Sequence, residues 1–195
     1  MPTNEEIVRH HVPDPNEDPW VQGPPQPETV VLTPYTPAWP LRYIALAAGI
    51  RSALGDVVLD LDHVGSTSVE GLAAKDVIDI VLTVADPRDE DKYVPALVDL
   101  GYVHTVRESS FHEHRLLKLA DPHANLHVFG PDSPETIRLR MFRDWLRANP
   151  DDRDLYQRAK QAAIPGGGRV MDYNARKEST IREIYDRLFH AAGLL

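Results

Sequence analysis

One stretch constrains this chain more than any other: His63-Val64-Gly65-Ser66-Thr67-Ser68-Val69-Glu70-Gly71-Leu72-Ala73-Ala74-Lys75-Asp76-Val77-Ile78-Asp79-Ile80. A Gly-Ser turn leads past one lysine into the apolar run Val77 to Val84, which carries a single carboxylate. Such a run reads as a central strand covered on both faces. An ionised carboxylate without partners is costly there, so Asp79 must be paired, hydrogen-bonded or metal-bound. A core salt bridge and a water-accessible strand end are the purely structural alternatives. The amides and hydroxyls of Gly65, Ser66, Thr67 and Ser68 can form a concavity for phosphate oxygens, with Lys75 supplying charge. Gly-Ser-Thr strings are also ordinary turns, and only the acid that follows lifts this one above them.

The rest of the chain sets the frame. Thr29 to Leu32 reads as a short strand, and a helix is expected from Ala38 to Leu54 with Leu41, Ile44, Leu46, Ala48 and Ile50 inside, stopped by Gly55. Val57 to Val64 alternates, with Leu59, Leu61 and His63 on one face. Asp89 to Gly101 reads as a helix closed by glycine and Tyr102 to Val106 as a strand. His114 to Leu119 and Asn125 to Phe129 form a strand pair around Asp121-Pro122-His123. Helices are expected over Pro134 to Ala148, Asp151 to Ala163 and Asp172 to Ala192, with Pro165 to Arg169 a hinge rather than a phosphate loop, since no strand precedes it. Strands first and helices after define an α+β domain. It spans 29–195, with its helical segment at about 133–193. The first 28 residues carry seven prolines and no apolar periodicity, and read as a flexible or loosely docked proline-rich arm that Trp20 and Val21 could anchor.

Composition narrows the function. A chain of 195 residues without cysteine excludes disulfide scaffolds, thiolate zinc sites and cysteine nucleophiles. The net charge of -9 argues against a nucleic-acid polymer as partner, while a small anion needs only a local cluster of donors. No segment suits a membrane span or a secretory signal, so a cytoplasmic protein is expected.

The opening stretch resembles the signature of the GrpB family, proteins of mostly undefined function with a nucleotidyltransferase-like fold. The likeness continues in Pro34-Tyr35, Trp39-Pro40, Leu100-Gly101-Tyr102, Leu126-His127-Val128, Phe142 to Arg147, Asn149-Pro150, Tyr156 with Lys160, and Tyr173 with Lys177. It implies a small mixed β-sheet with flanking helices, in which the Gly-Ser turn holds a nucleotide and acids on neighbouring strands bind divalent ions. The acid set is incomplete: Val77 stands where the first acid of the superfamily belongs, Asp79 at the second, and His127 near the third. Glu70 and Asp76 replace prolines usual in the family, and Ala124 and Asn125 stand where it tends to carry further histidines.

The resemblance implies a metal-dependent transferase acting on a nucleotide or another phosphorylated small molecule; the alternative is a non-catalytic or regulatory module on the same fold, with which the family's occurrence fused to dephospho-CoA kinase is compatible. Asp79 and His127 are the candidate catalytic residues. Gly65, Ser66, Thr67, Lys75, Arg115 and Lys118 are the candidate phosphate contacts. Asp79, His127 and His63 are the candidate ligands of a divalent metal, Mg²⁺ or Mn²⁺, or of a transition metal together with His112 or His114. Lys160 and Lys177 could also touch phosphate, but read more readily as lying on solvated helix faces.

Overall fold

The computed structural model describes residues 1–26, 29–164 and 170–195. Its strands are β1 (Asp60–Val64), β2 (Ile78–Thr83), β3 (Val103–Glu108), β4 (His114–Leu119) and β5 (Ala124–Phe129). Its α-helices are α1 (Asn4–Val8), α2 (Ala38–Leu54), α3 (Val94–Asp99), α4 (Pro134–Ala148), α5 (Pro150–Ala163) and α6 (Val170–Ala191). The strands form one mixed sheet in the order β1-β2-β5-β4-β3. Only the β2–β5 pair is parallel, and the β3–β4 and β4–β5 pairs make a meander that delivers β5 beside β2. This is the expected α+β domain with a mixed sheet and C-terminal helices.

The apolar run becomes a strand with a neighbour on each side, as its composition implies. One sheet face, bearing Leu61, Ile78, Ile80, Leu82, Leu117, Leu126 and Val128, packs on Trp39, Ile50 and Leu54 of α2 and Leu97 of α3. The opposite face carries Val64, Val81 and Phe129, against which Leu139 of α4 rests. A second core joins Val69 and Leu72 of the loop before β2 to Leu146, Tyr156 and Ile184 of the last three helices. The C-terminal helices therefore cover the turn and the loop that precede Asp79.

Several elements differ from expectation for physical reasons. Helix α2 is apolar almost all round, so periodicity could not choose its inner side: Trp39, Ala47, Ile50 and Leu54 are buried, whereas Leu41 and Ile44 are 66% and 60% exposed. Thr29 to Leu32 is not a strand; pairing there is confined to Thr33, which exchanges backbone hydrogen bonds with Ala74. The helix expected over Asp89 to Gly101 divides into a 3-10 turn (Glu90–Lys92) and α3, with Tyr93 at φ -137° between them. The expected hinge at 165–169 lies outside the described residues.

Residues 1–26 dock on the domain at several points, Trp20 and Val21 among them. Thr3 and Glu6 form a capping box around α1, whose Ile7 packs against Tyr185, Leu188 and Phe189. Farther along, Arg107 donates its amide to Pro19 O at 2.8 Å and Val21 donates to Thr105 O at 3.1 Å. The segment thereby covers part of the free edge of β3 beside Trp20. Sparse apolar residues, not periodicity, attach it, which is why composition alone suggested mobility.

Candidate functional site

Register places Asp79 opposite Asn125 and Val81 opposite His127, so Asp79, Asn125 and His127 share one sheet face. Lys118 pairs with Asn125 and therefore lies on that face too, one strand farther out. Asp79 accepts a 2.8 Å hydrogen bond from Asn125 Nδ2, and His127 Nε2 stands 3.9 Å from its Oδ1. Burial alone would raise the Asp79 carboxyl, but His127, the Asn125 amide and the Lys75 charge together hold it below the usual carboxylate range.

The Gly-Ser turn packs directly on this carboxylate. Gly65 has φ +69°, and a Cβ there would lie 2.4 Å from Asp79 Oδ2. Residues 66–68 form a single 3-10 turn after Gly65, and the first amides of such a turn have no acceptor within it. The amides of Ser66 and Thr67 and the Ser66 hydroxyl make no hydrogen bond among the described residues. Other groups of the turn are committed internally. Ser68 Oγ donates to Gly65 O at 2.6 Å, and Thr67 Oγ1 donates to Val77 O at 3.1 Å. From outside, Arg147 of α4 holds Ser68 O with two hydrogen bonds of 2.8 and 3.1 Å, and Arg143 donates to His63 O at 2.9 Å. The Phe142 to Arg147 block thus clamps the turn.

Lysines from three segments converge here. Lys160 of α5 is 2% exposed and donates to Ala73 O, while Gln157 accepts from the Ala73 amide at 2.8 Å, so α5 grips that peptide by both ends. Lys160 Nζ lies 5.2 Å from the Tyr156 ring centre; Lys177 of α6 lies 4.7 Å from that of Tyr173 and 3.5 Å from the Tyr156 hydroxyl. Burial, aided by the Lys177 and Lys75 charges and opposed by Asp79, pushes the Lys160 amine down to about 7. Lys75 and Lys160 thus both act on the Asp79 carboxylate, and Lys177 stands behind Lys160. Sequence reasoning ranked the two helix-borne lysines low because α5 and α6 carry many charged residues; the Tyr-x-x-x-Lys spacing that repeats at Tyr156/Lys160 and Tyr173/Lys177 was the available signal.

A chain of polar side chains reaches the site from β3 and β4. Glu108 Oε2 lies 2.7 Å from His114 Nδ1, and His114 Nε2 lies 3.0 Å from His127 Nδ1. The His114 ring is buried, stacked against both Phe129 and His127. Burial pushes it down to about 4 even though the Glu108 carboxylate acts in the opposite sense.

His63, Arg115 and His112 lie elsewhere, and Thr67 contributes less than expected. His63 pairs with Ile80 and so points to the other face from Asp79, where it stacks on Tyr43 and meets Thr67 Oγ1 at 3.0 Å. Thr67, whose hydroxyl is engaged by Val77 O, offers at most its amide to a ligand. Arg115 also lies on the opposite face, buried in ion pairs with Glu90 and Glu113. His112 does not join His114 on a strand, because it occupies the hairpin loop at φ +54°. Asp76, beside the turn in sequence, accepts from Trp39 Nε1 at 2.7 Å and pairs with Arg42.

The donors here do not fit the paired metal ions of the nucleotidyltransferase-like superfamily. Val77 is buried and apolar, and no three acid or histidine side chains among the described residues stand close enough to hold an ion. Positive charge acting on Asp79 comes from lysine side chains.

A five-stranded mixed sheet whose Gly-Ser turn, strand carboxylate and helix-borne lysines meet at one corner defines a distinct class of α+β domain. The chain belongs to the GrpB protein family, whose pattern matches residues 29–187. It is 45% identical over 164 residues to a UPF0157 protein of Halalkalibacterium halodurans, covering 84% of each chain. A UPF0157 protein of Streptomyces coelicolor is 38% identical, with 85% of this chain and 87% of that one covered. The crystal structure of the conserved protein GrpB from Enterococcus faecalis superposes with a TM-score of 0.70 at 25% identity, covering 83% of this chain and 99% of that one. A dephospho-CoA kinase of Mycolicibacterium paratuberculosis is 32% identical across 81% of this chain, which spans only 46% of that protein. No α-helix among the described residues is long and apolar enough to cross a membrane.

Proposed function

We propose that this corner binds a nucleotide or another phosphorylated small molecule and that the protein is a transferase acting on it, with lysines supplying the charge that bound metal ions supply in the wider superfamily. The observation that carries the reading is the grouping of Lys75 and Lys160 with Asp79, with Lys177 beside Lys160, next to the Gly65 turn whose Ser66 and Thr67 amides are unbonded among the described residues. Phosphate oxygens need several donors and positive charge in one concavity, and these groups provide both. Lys160 is kept charged only weakly in its buried position, so an anion bound beside it gains a strong, poorly screened partner. Ser66 Oγ offers a further donor. His127, beside Asp79 and partly exposed, is the group suited to move a proton.

A second reading, a binding or regulatory module without transfer chemistry, is favoured by Val77 at the position of an acid. The similarity to part of the dephospho-CoA kinases is compatible with such an accessory role. Thermal denaturation with ATP, pyrophosphate or inorganic phosphate tests the binding reading. ATP and pyrophosphate are expected to raise the midpoint in the presence of EDTA; no shift with any of the three at millimolar concentration contradicts it.

A further inference from the structure

Glu108, His114, His127 and Asp79 form a line of side chains across one sheet face, with successive separations of 2.7, 3.0 and 3.9 Å. The direction of each hydrogen bond follows from which groups can donate. An ionised Glu108 can only accept, so His114 must donate from Nδ1. A neutral imidazole has one N–H, so His114 Nε2 accepts and His127 must donate from Nδ1. The neutral His127 ring is then left with a bare lone pair on Nε2, facing the Asp79 carboxylate and the corner occupied by the turn and the lysines.

We propose that Glu108 and His114 are positioning residues that lock His127 in the tautomer bearing its lone pair on Nε2, so that His127 accepts a proton from a hydroxyl group of the phosphorylated ligand. This role for His127 rests on the phosphate reading of the corner; the tautomer does not. In the step, the ligand O–H proton moves to His127 Nε2 and the electron pair of that bond stays on oxygen, which becomes the nucleophile. The imidazolium so formed presents its new N–H toward Asp79 Oδ1, while its Nδ1–H remains on His114. The proton stops there, because His114 is buried among Phe111, Phe129 and His127 and disfavours a second proton. The ligand class is thereby narrowed to compounds carrying both a phosphate and a hydroxyl. Asp79 and Asn125 fix the position of that hydroxyl, since they flank His127 on the same face.

The experiment is long-range ¹⁵N–¹H correlation of the histidine rings in the full chain at about pH 8, above the ordinary imidazole range, without ligand. His114 and His127 are both expected with their proton on Nδ1; a proton on Nε2 of His127, or a doubly protonated ring, overturns the proposal. Glu108→Leu removes the acceptor and is expected to abolish the single tautomer at His127, whereas Glu108→Gln, which keeps a carbonyl, preserves it. An unchanged His127 tautomer in folded Glu108→Leu overturns the role of Glu108. Carbethoxylation of the wild-type chain gives a measurement that needs no variant: His127 should react at Nε2 faster than His114, and ATP should slow it. An unreactive His127 overturns the proposal. A reactive His127 with the expected tautomer but no protection by ATP leaves the tautomer lock standing and overturns the phosphate reading and the base role built on it.

Discussion

A Cβ on Gly65 would lie 2.4 Å from Oδ2 and 2.9 Å from Cβ of Asp79, so turn and strand carboxylate adjoin across space that only glycine leaves open. The residue also has φ +69° with ψ -172°, a region essentially reserved for glycine that costs an L residue about 1–3 kcal/mol before any contact is counted. Gly65→Ala should lower stability by at least the lower end of that range. For a chain of this size the denaturation midpoint should fall by roughly 2–12 °C. Calorimetry checks it, and a midpoint equal to wild type would mean that turn and carboxylate do not meet as described.

Lys160 is a buried cation whose direct partners are a backbone carbonyl and an aromatic ring. On the proposed reading its charge stabilises a bound anion, and in the unliganded fold it is a burden. Lys160→Met, similar in length and apolar, should leave the denaturation midpoint of the unliganded protein at or above the wild-type value near neutral pH. A marked loss of stability would mark Lys160 as a structural strut for the Ala73 peptide.

The buried imidazoles of His63 and His114 are each pushed down to about 4, with burial the leading cause. The unfolded chain restores them to about 6.5, so between about pH 6.5 and 4 the unfolded state binds more protons and stability falls as pH drops. The expected slope is about 1.4 kcal/mol per pH unit for each group. Urea denaturation across this window should give a slope that His114→Asn reduces by about one proton. An unchanged slope would place the titration elsewhere.

Asp79 distinguishes a lysine-framed anion site from a metal site by the sign of one substitution. With lysines as the source of charge, Asp79→Asn removes a negative neighbour of the ligand, and pyrophosphate should bind more tightly, by up to about tenfold. If a divalent ion on Asp79 bridged to the ligand, the same change would abolish binding. Titration with and without EDTA separates the two.

Glu17 accepts from the Ser109 amide at 2.6 Å, the Ser110 amide at 3.3 Å and the Ser110 hydroxyl, and thereby ties the N-terminal segment to the hairpin that carries Glu108 and His114. In Glu17→Ala the amides of Ser109 and Ser110 should exchange with solvent markedly faster, while those of β2 stay protected. Unaltered exchange at both residues would mean that this segment does not hold the loop.

Much of the fold could be read before any coordinates, because the strands around Asp79 and the helices after Phe129 have strong local signals: a continuous apolar run, alternation, and proline at the first turn of α4 and α5. The inner side of α2 could not, since a helix apolar on every side has no preferred face. In the site, Asp79 and Gly65 were legible from residue type in context. Arg115 was not, because nothing local tells a phosphate-binding arginine from one paired with Glu90 through a contact 25 residues away. The grouping of Lys160 and Lys177 with Lys75 depends on how α5 and α6 fold back over the turn, a tertiary relationship that spacing within one helix does not encode.

On the proposed reading, lysine side chains rather than metal ions frame a phosphate site beside Asp79. Calorimetric titration of ATP in EDTA tests it most directly, comparing wild type with Lys160→Met and Lys177→Met. Binding by the wild type without metal, weakened roughly 10- to 100-fold in each variant as expected for loss of a charge-assisted hydrogen bond, is the predicted result. Equal affinity in all three proteins, or binding that requires added Mg²⁺ or Mn²⁺, would contradict it.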